Sequence, residues 1–156
     1  LQDDPVQMAD PAKFNHYMQL NAAGLCGMPP ERLFRAAHVA HPCSRRTMAQ
    51  LHNQFNAAFR DNARYQMRDI RQFSPQSLHN YACILHKTAK LHPIKDHHHI
   101  YSGQGVGAAD GTIPTLLQNL RDTPDLKMLC VNDLPQLEAL YPDIRSWLAQ
   151  LLTGAP

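Results

Sequence analysis

Two amphipathic helices with clear starting residues constrain the fold of this 156-residue chain more than any other feature. The first begins at Ser44, whose hydroxyl can cap free backbone amides. Its apolar stripe recurs at helical spacing in Met48, Leu51, Phe55 and Phe59. The second begins at Ser74, with Pro75 in its first turn, and its apolar face consists of Leu78, Tyr81, Ala82, Leu85 and Ala89. The sequence therefore predicts helices over about 45–60 and 75–90.

Shorter elements fill the remainder of the chain. Turn-forming Pro and Gly residues leave room for one short helix near 13–20, and the leucines at 116, 117 and 120 indicate another. The run 126–131 is typical of a brief buried strand. The apolar residues of the tail predict one or two amphipathic helices, interrupted at Pro142. A helix-rich α/β fold is the expectation.

Charge and hydropathy exclude two broad classes of function. Fifteen Lys and Arg against thirteen Asp and Glu leave a net charge of +2, too small for a basic module that coats nucleic acid. The longest apolar run falls far short of the roughly 20 residues that a membrane helix requires. The four cysteines include no CxxC pair, which favours reduced thiols and a cytoplasmic protein.

Three consecutive histidines, His97 to His99, follow Asp96 and suggest metal ligands. Neighbouring side chains project in different directions on any regular backbone, so at most two of the three can readily share an ion. A polar loop leading into a strand is the plainer interpretation. The run also has a faint similarity to a zinc-dependent HNH nuclease, but no second Cys or His pair follows Cys130.

Four local patterns, taken in order, resemble a known family. His38 is followed seven residues later by Arg45 and the helix with Leu51, Phe55 and Phe59; then come Arg68, the segment from Ser74-Pro75 to Tyr81, and finally Leu129-Cys-Val-Asn-Asp133. This order resembles the C-terminal conserved regions of the Stealth family of sugar-phosphate transferases. That family includes bacterial capsule polymerases and the lysosomal-enzyme N-acetylglucosamine-1-phosphotransferase.

The resemblance implies a fold and an extent. Leu1-Gln-Asp-Asp4 and the later Pro11 and Phe14 are similar to the end of an earlier family region. The expected fold is the C-terminal part of a GT-A-like, Rossmann-like domain lacking its first strands. Residues 1–156 would then be a single partial catalytic domain, carrying the end of the second conserved region and the third and fourth. Ser44 and the Arg71-Gln72 pair depart from the family pattern, which leaves their substrate or metal contacts open.

The resemblance also implies a reaction and its participants. A hexose-1-phosphate would pass from a UDP-sugar donor to a hydroxyl of an oligosaccharide or polysaccharide acceptor in capsule or exopolysaccharide synthesis. The expected cofactor is a divalent metal, Mg²⁺, with no organic cofactor, and nucleic acid is not an expected partner. The full-length protein is expected at the inner face of the membrane, as a peripherally associated cytoplasmic enzyme, and the chain alone is expected to be inactive.

Individual residues receive roles on the same ground. His38 is the expected general base, with His41 as its rival, because an imidazole titrates near neutrality. Arg45 and Arg68 would grip phosphate oxygens through their planar guanidinium groups. Asn132, Asp133 and Asp4 would contact the donor, and Asp3, Asp4 and Asp133 are the expected metal ligands. Oxygen atoms are the ligands that hard cations prefer.

Two other classes of function stay open at this point. One is a small helical module that binds a protein partner, as an immunity protein does. The other is the zinc-dependent nuclease, which would use His97 to His99.

Overall fold

A computed structural model describes residues 14–34, 39–91, 96–101, 115, 119–123 and 125–153. The chain divides into two compact units. The helical unit comprises Leu1–Ala36 and His41–His92, and the strand unit comprises Ala37–Ala40 and Pro93–Pro156. The prediction that 1–156 form one partial catalytic domain stays a prediction.

The described part of the helical unit contains four α-helices and one 3-10 turn. They are α1 (Phe14–Cys26), the turn Pro30–Arg32, α2 (Arg45–Gln54), α3 (Asn56–Asn62) and α4 (Pro75–Leu85). The hydroxyl of Ser44 accepts the amide of Thr47, and the hydroxyl of Ser74 accepts the amide of Ser77, each at 3.2 Å. Both predicted helix starts are therefore confirmed.

The prediction of one continuous helix over 45–60 is wrong at its middle. Phe55 has φ −112° and ψ 31°, outside the helical range, and separates α2 from α3. Phe55, Ala58 and Phe59 all pack against the core of the unit. Tertiary packing has here overridden a helical pattern that contains no Pro or Gly.

The predicted end of the next helix at 90 is also wrong. Helix α4 ends at Leu85, because Lys87 adopts φ 56° and turns the chain away. The amide of Lys87 donates to the carbonyl of Ile84 at 3.0 Å and that of Thr88 to Cys83 at 2.8 Å. This pair of hydrogen bonds is the Schellman arrangement, which satisfies the last carbonyls of a helix.

Helices α1 and α4 pack against each other around a small core. Ala22 and Ala23 are 0% and 3% exposed, and their short side chains allow a close approach of the two helices. The hydroxyl of Tyr81 donates to the carbonyl of Phe34 at 3.1 Å, which ties the chain after the 3-10 turn to α4. The buried core comprises Ala22, Ala23, Met28, Leu51, Phe73, Leu78, Tyr81 and Ala82.

The strand unit is built on a parallel pair of strands. Strand β1 (His97–Ile100) pairs with β2 (Met128–Val131), with His97 opposite Met128 and Ile100 opposite Val131. Helices α5 (Leu134–Leu140) and α6 (Ile144–Thr153) follow, separated as predicted around Pro142. The core of the unit consists of Ile100, Leu120, Leu137 and Ile144. A helix-rich α/β fold is thus confirmed.

The three histidines at 97–99 form strand β1 itself, so their interpretation as a polar loop leading into a strand is wrong. Backbone pairing with β2 does not depend on apolar side chains, and Ile100, which is fully buried, anchors the end of the strand. Within the described ranges, no helix combines the length and apolar character needed to cross a membrane.

Candidate functional site

Asn132 and Asp133 follow β2 directly, at the carboxyl end of the parallel strand pair. The amide of Asn132 donates to the carbonyl of Ile100 at 2.9 Å, which extends the pairing one residue beyond the strand. Its side-chain oxygen accepts the thiol of Cys130 at 3.5 Å. Ligands of α/β proteins bind in the crevice outside the carboxyl ends of parallel strands. These two residues therefore stand where such a fold presents polar groups to a ligand.

Asp133 has an unusual backbone conformation. Its φ of 56° and ψ of 37° are left-handed, which is uncommon for a residue with a side chain. It precedes α5, yet its carboxylate makes no capping hydrogen bond to that helix, and its side chain is exposed. Backbone strain of this kind concentrates at functional sites. The carboxylate therefore does not cap α5.

Arg45 and Arg46 open helix α2 in the helical unit. Both side chains are exposed, and neither forms an ion pair with any residue that the structure describes. The first turn of α2 contains no acidic residue. The two guanidinium groups therefore lie at the N-terminus of a helix, where anions are favoured. In the described structure no carboxylate neutralises them.

A buried histidine that no sequence motif indicated holds the residue before Arg45. The amide of Ser44 donates to Nε2 of His79 at 3.0 Å, and His79 is 5% exposed. Because Nε2 accepts this bond, the imidazole carries its proton on Nδ1, which lies 3.3 Å from Oδ1 of Asn80. The thiol of Cys83 lies 3.6 Å from the same Nε2. His79 thus fixes the start of α2 from helix α4.

Arg68 lies on a loop whose backbone is bound by side chains. Its own side chain is exposed. The amide of Asp69 donates to Oε1 of Gln72 at 2.9 Å, and the amide of Phe73 donates to Oδ1 of Asn62 at 2.7 Å. Asn21, on helix α1, donates from Nδ2 to the carbonyls of Ile70 and Gln72, both at 2.7 Å. The loop 68–73 therefore has a fixed backbone.

Asp69 and Arg71 form a bidentate ion pair within this loop. Nε and Nη2 of Arg71 donate to the two carboxylate oxygens of Asp69, each at 2.8 Å. The hydrogen bonds from the Arg71 side chain and backbone lower the pKa of Asp69 from 3.8 to about 2. Arg71 also lies over the ring of Tyr65, 5.2 Å from its centroid. Arg71 is therefore occupied within the loop, whereas the side chain of Arg68 has no ion-pair partner in the described part of the chain.

A groove with polar walls runs between helices α2 and α4. Its volume is about 400 Å³, within the range of small-molecule sites. The lining residues are Thr47, Gln50, Leu51, Gln54, Ala82 and His86. Leu51 and Ala82 are buried, and the polar side chains are at least partly exposed. The sequence predicted the apolar stripe of α2. It did not predict that polar side chains form a rim above the buried Leu51 and Ala82.

The histidines of β1 alternate between the two faces of the strand, as residues of a strand do. Nδ1 of His97 and Nε2 of His98 are buried and accept or donate no hydrogen bond in the described structure. Burial, and then the neighbouring His97, lower the pKa of His98. In the described ranges no three His, Cys, Asp or Glu side chains come close enough together to hold a metal ion.

Three of the predicted site residues fall outside the described residues, namely His38, Asp3 and Asp4. His41, the rival base, is half-buried three residues before Ser44. Arg45 and Arg68 lie in the helical unit, and Asn132 and Asp133 lie in the strand unit.

No protein-family model, curated protein or solved structure matches this chain. The resemblance to a sugar-phosphate transferase therefore rests on the order of its motifs.

Proposed function

We propose that this chain takes part in transferring a hexose-1-phosphate from a UDP-sugar to a saccharide hydroxyl, as a component of a GT-A-like enzyme of capsule or exopolysaccharide synthesis. The observation that carries the proposal is the Asn132-Asp133 pair, with its left-handed Asp133, at the carboxyl end of a parallel strand pair. The ordered motifs and the exposed Arg45 and Arg68 support it.

The proposed reaction is a single displacement at phosphorus. The acceptor oxygen forms a bond to the β-phosphorus of the donor, the bond from that phosphorus to the bridging oxygen breaks, and UMP leaves with the bond electrons. The hydroxyl proton passes to an imidazole, assigned to His38 with His41 as the alternative. In the transition state, negative charge is spread over the phosphoryl oxygens. Fixed cations such as Arg45 and Arg68 would lower the energy of the transition state by binding these oxygens.

The described residues fit a magnesium ion bound together with the donor. Asp133 offers an exposed carboxylate and Asn132 an amide oxygen, and Mg²⁺ is usually held by one or two carboxylates plus substrate phosphates. Asp3 and Asp4 are proposed as additional ligands. When bound, the ion would offset negative charge on the diphosphate. Asp133 would orient the donor, and Asn132, braced by Cys130, would fix the position of the turn.

A donor labelled in its β-phosphate tests the reaction in the product of the complete gene. Phosphoryl transfer carries the label into the acceptor and releases UMP, whereas glycosyl transfer leaves the label in released UDP. Replacing Asp133 by Asn keeps the size and removes the charge, so we expect a loss of about 100-fold in kcat/KM. Quantitative chromatography of labelled product and UMP measures both outcomes.

Asp143→Asn is the matched control, because Asp143 is an exposed aspartate of the same unit. It should retain the activity of the unaltered protein. Release of UDP in place of UMP, or full activity of Asp133→Asn, would overturn the proposal.

A further inference from the structure

The groove between α2 and α4 has no role in the reaction as proposed so far. Thr47, Gln50 and Gln54 lie along one face of α2, spaced by three and four residues, and His86 follows the last turn of α4. The stripe of three begins two residues after Arg45 and extends over about 10 Å of helix. The groove therefore runs along one side of α2 for about two helical turns.

The chemistry of the lining residues indicates a neutral ligand rich in hydroxyl groups. Among the residues that the structure describes, no Asp, Glu, Lys or Arg lines the groove. Each glutamine amide both donates and accepts hydrogen bonds, which matches hydroxyl groups that do the same. The side chains of Gln50, Gln54 and His86 form no hydrogen bond with another described residue, so their polar groups are available to a ligand.

The floor of the groove completes this chemistry. Leu51 and Ala82 are 5% and 2% exposed and belong to the core of the unit, so the floor is apolar and firmly supported. A sugar ring presents apolar C–H faces together with hydroxyl groups at its edge. A diphosphate or a nucleotide would instead require cations, and none of the described lining residues is a Lys or Arg.

We propose that this groove is the subsite for the saccharide acceptor, holding neutral sugar units of the chain whose hydroxyl receives the phosphosugar. The assignment to the acceptor rests on the proposed function. The glutamines bind sugar hydroxyl groups, and the buried Leu51 and Ala82 hold the two helices that form the walls of the groove. The groove sets the register of the acceptor and takes no part in bond breaking.

Amide NMR of the 156-residue chain tests the binding step directly. Maltose, lactose and N,N′-diacetylchitobiose serve as neutral probes at millimolar concentration, and pyrophosphate serves as the anionic probe. We expect at least one saccharide to shift the side-chain amide signals of Gln50 and Gln54, and pyrophosphate to leave them in place. Unchanged signals with all three saccharides, or shifts with pyrophosphate alone, would overturn the proposal.

A double substitution, Gln50→Ala with Gln54→Ala, should raise the saccharide Kd about tenfold by removing two amide partners. Both side chains are exposed and alanine favours helix, so the core is expected to be unaffected, and the signals of Leu51 and Ala82 report on it. Gln76→Ala is the control, because Gln76 is an exposed glutamine of α4 outside the groove. Equal Kd values for the double variant and the control would contradict the assignment.

The two proposals fail separately. Saccharide shifts in the groove without transfer of labelled phosphate would leave the binding site in place and remove the proposed reaction. Transfer of labelled phosphate with an unchanged acceptor KM in the double variant would leave the reaction and remove the acceptor subsite.

Discussion

His79 shows how one buried polar side chain can organise a candidate site. Its Nε2 satisfies the amide of Ser44, and Ser44 in turn caps α2 and precedes Arg45. The buried partner in this bond is the imidazole, and a buried ring nitrogen that loses its hydrogen bond incurs the cost of desolvation. The imidazole therefore serves as a structural acceptor, and its contribution to any phosphate chemistry is through the position of the helix start.

Replacing His79 by Ala should lower the free energy of unfolding by about 1–3 kcal/mol, because a buried side chain is removed and the amide of Ser44 loses its protein acceptor. His79→Gln retains an acceptor oxygen and should recover part of this loss. Urea denaturation followed by circular dichroism measures both effects. His16→Ala, at an exposed histidine of α1, is the control and should change stability little. Equal stability of the His79→Ala and His16→Ala variants would contradict the role assigned to the amide bond.

Residues of this kind could not be found from the sequence. Ser44 and His79 are 35 positions apart, and Asn21 lies 49 and 51 positions from the carbonyls it binds. Nothing local distinguishes His79 from any other residue on the apolar side of a helix. The candidates that the sequence did provide, Arg45, Arg68, Asn132 and Asp133, came from motif order, and the structure adds their exposure and their supports.

At the level of elements, helix starts were predictable and helix ends were not. Ser44 and Ser74-Pro75 act within a single turn, so the sequence alone reveals them. The break at Phe55 and the end at Leu85 depend on packing and on a left-handed residue. The histidine strand was missed because its partner, β2, is separated from it by a long connection.

Two helices of the helical unit end in the same way with different residues. After α1, Gly27 has φ 72°, and the amides of Gly27 and Met28 donate to Gly24 and Ala23. After α4, Lys87 occupies the equivalent position. A residue with a Cβ atom in this conformation is strained by roughly 1–2 kcal/mol, whereas glycine is not.

Replacing Lys87 by Gly should therefore stabilise the protein. The greater freedom of glycine in the unfolded chain offsets part of the relief, so the expected net gain is about 0.5–1 kcal/mol. Thermal unfolding of the two proteins measures the gain. Lys90→Gly, at an exposed lysine without positive φ, should give no gain and excludes a simple effect of charge removal. A destabilised Lys87→Gly variant would show that the left-handed turn carries no strain.

Over the whole molecule, the small net charge conceals a division between the two units. The helical unit contains eleven Lys and Arg against six Asp and Glu, and the strand unit contains four against seven. The cations proposed to bind phosphate, Arg45 and Arg68, belong to the first unit, and Asp133 belongs to the second. The net charge of +2 excludes a uniformly basic protein, but a total cannot show how the charges are divided between the units.

Stability should fall with acidification in two separate pH ranges. The pKa of Asp69 is about 2 in the folded protein, against 3.8 without its partners. Between these two values the unfolded state binds more protons than the folded state. The stabilisation present above pH 3.8 is therefore lost as the pH falls toward 2. The pKa of His98 is lowered from 6.5 by burial, so its folded state also disfavours the proton, and stability declines as the pH falls through 6.5. Urea denaturation across the pH range measures both declines.

Single substitutions separate the two ranges. Asp69→Asn should flatten the decline at low pH alone, and His98→Gln should flatten the decline below 6.5 alone. Asp143→Asn, at an exposed aspartate, should leave both declines in place. If Asp69→Asn left the acid decline unchanged, the Arg71 ion pair would not be its source.

The side-chain bonds on loop 68–73 affect the entropy of any encounter with an anion. A flexible loop must lose conformational freedom when it closes around a ligand, at a cost of roughly 1–2 kcal/mol for each backbone residue that becomes ordered. Here Asn21, Asn62 and Gln72 have already ordered the backbone during folding. Only the rotamers of the Arg68 side chain remain to be restricted, so a phosphate group would meet a cation whose attachment point is fixed in advance.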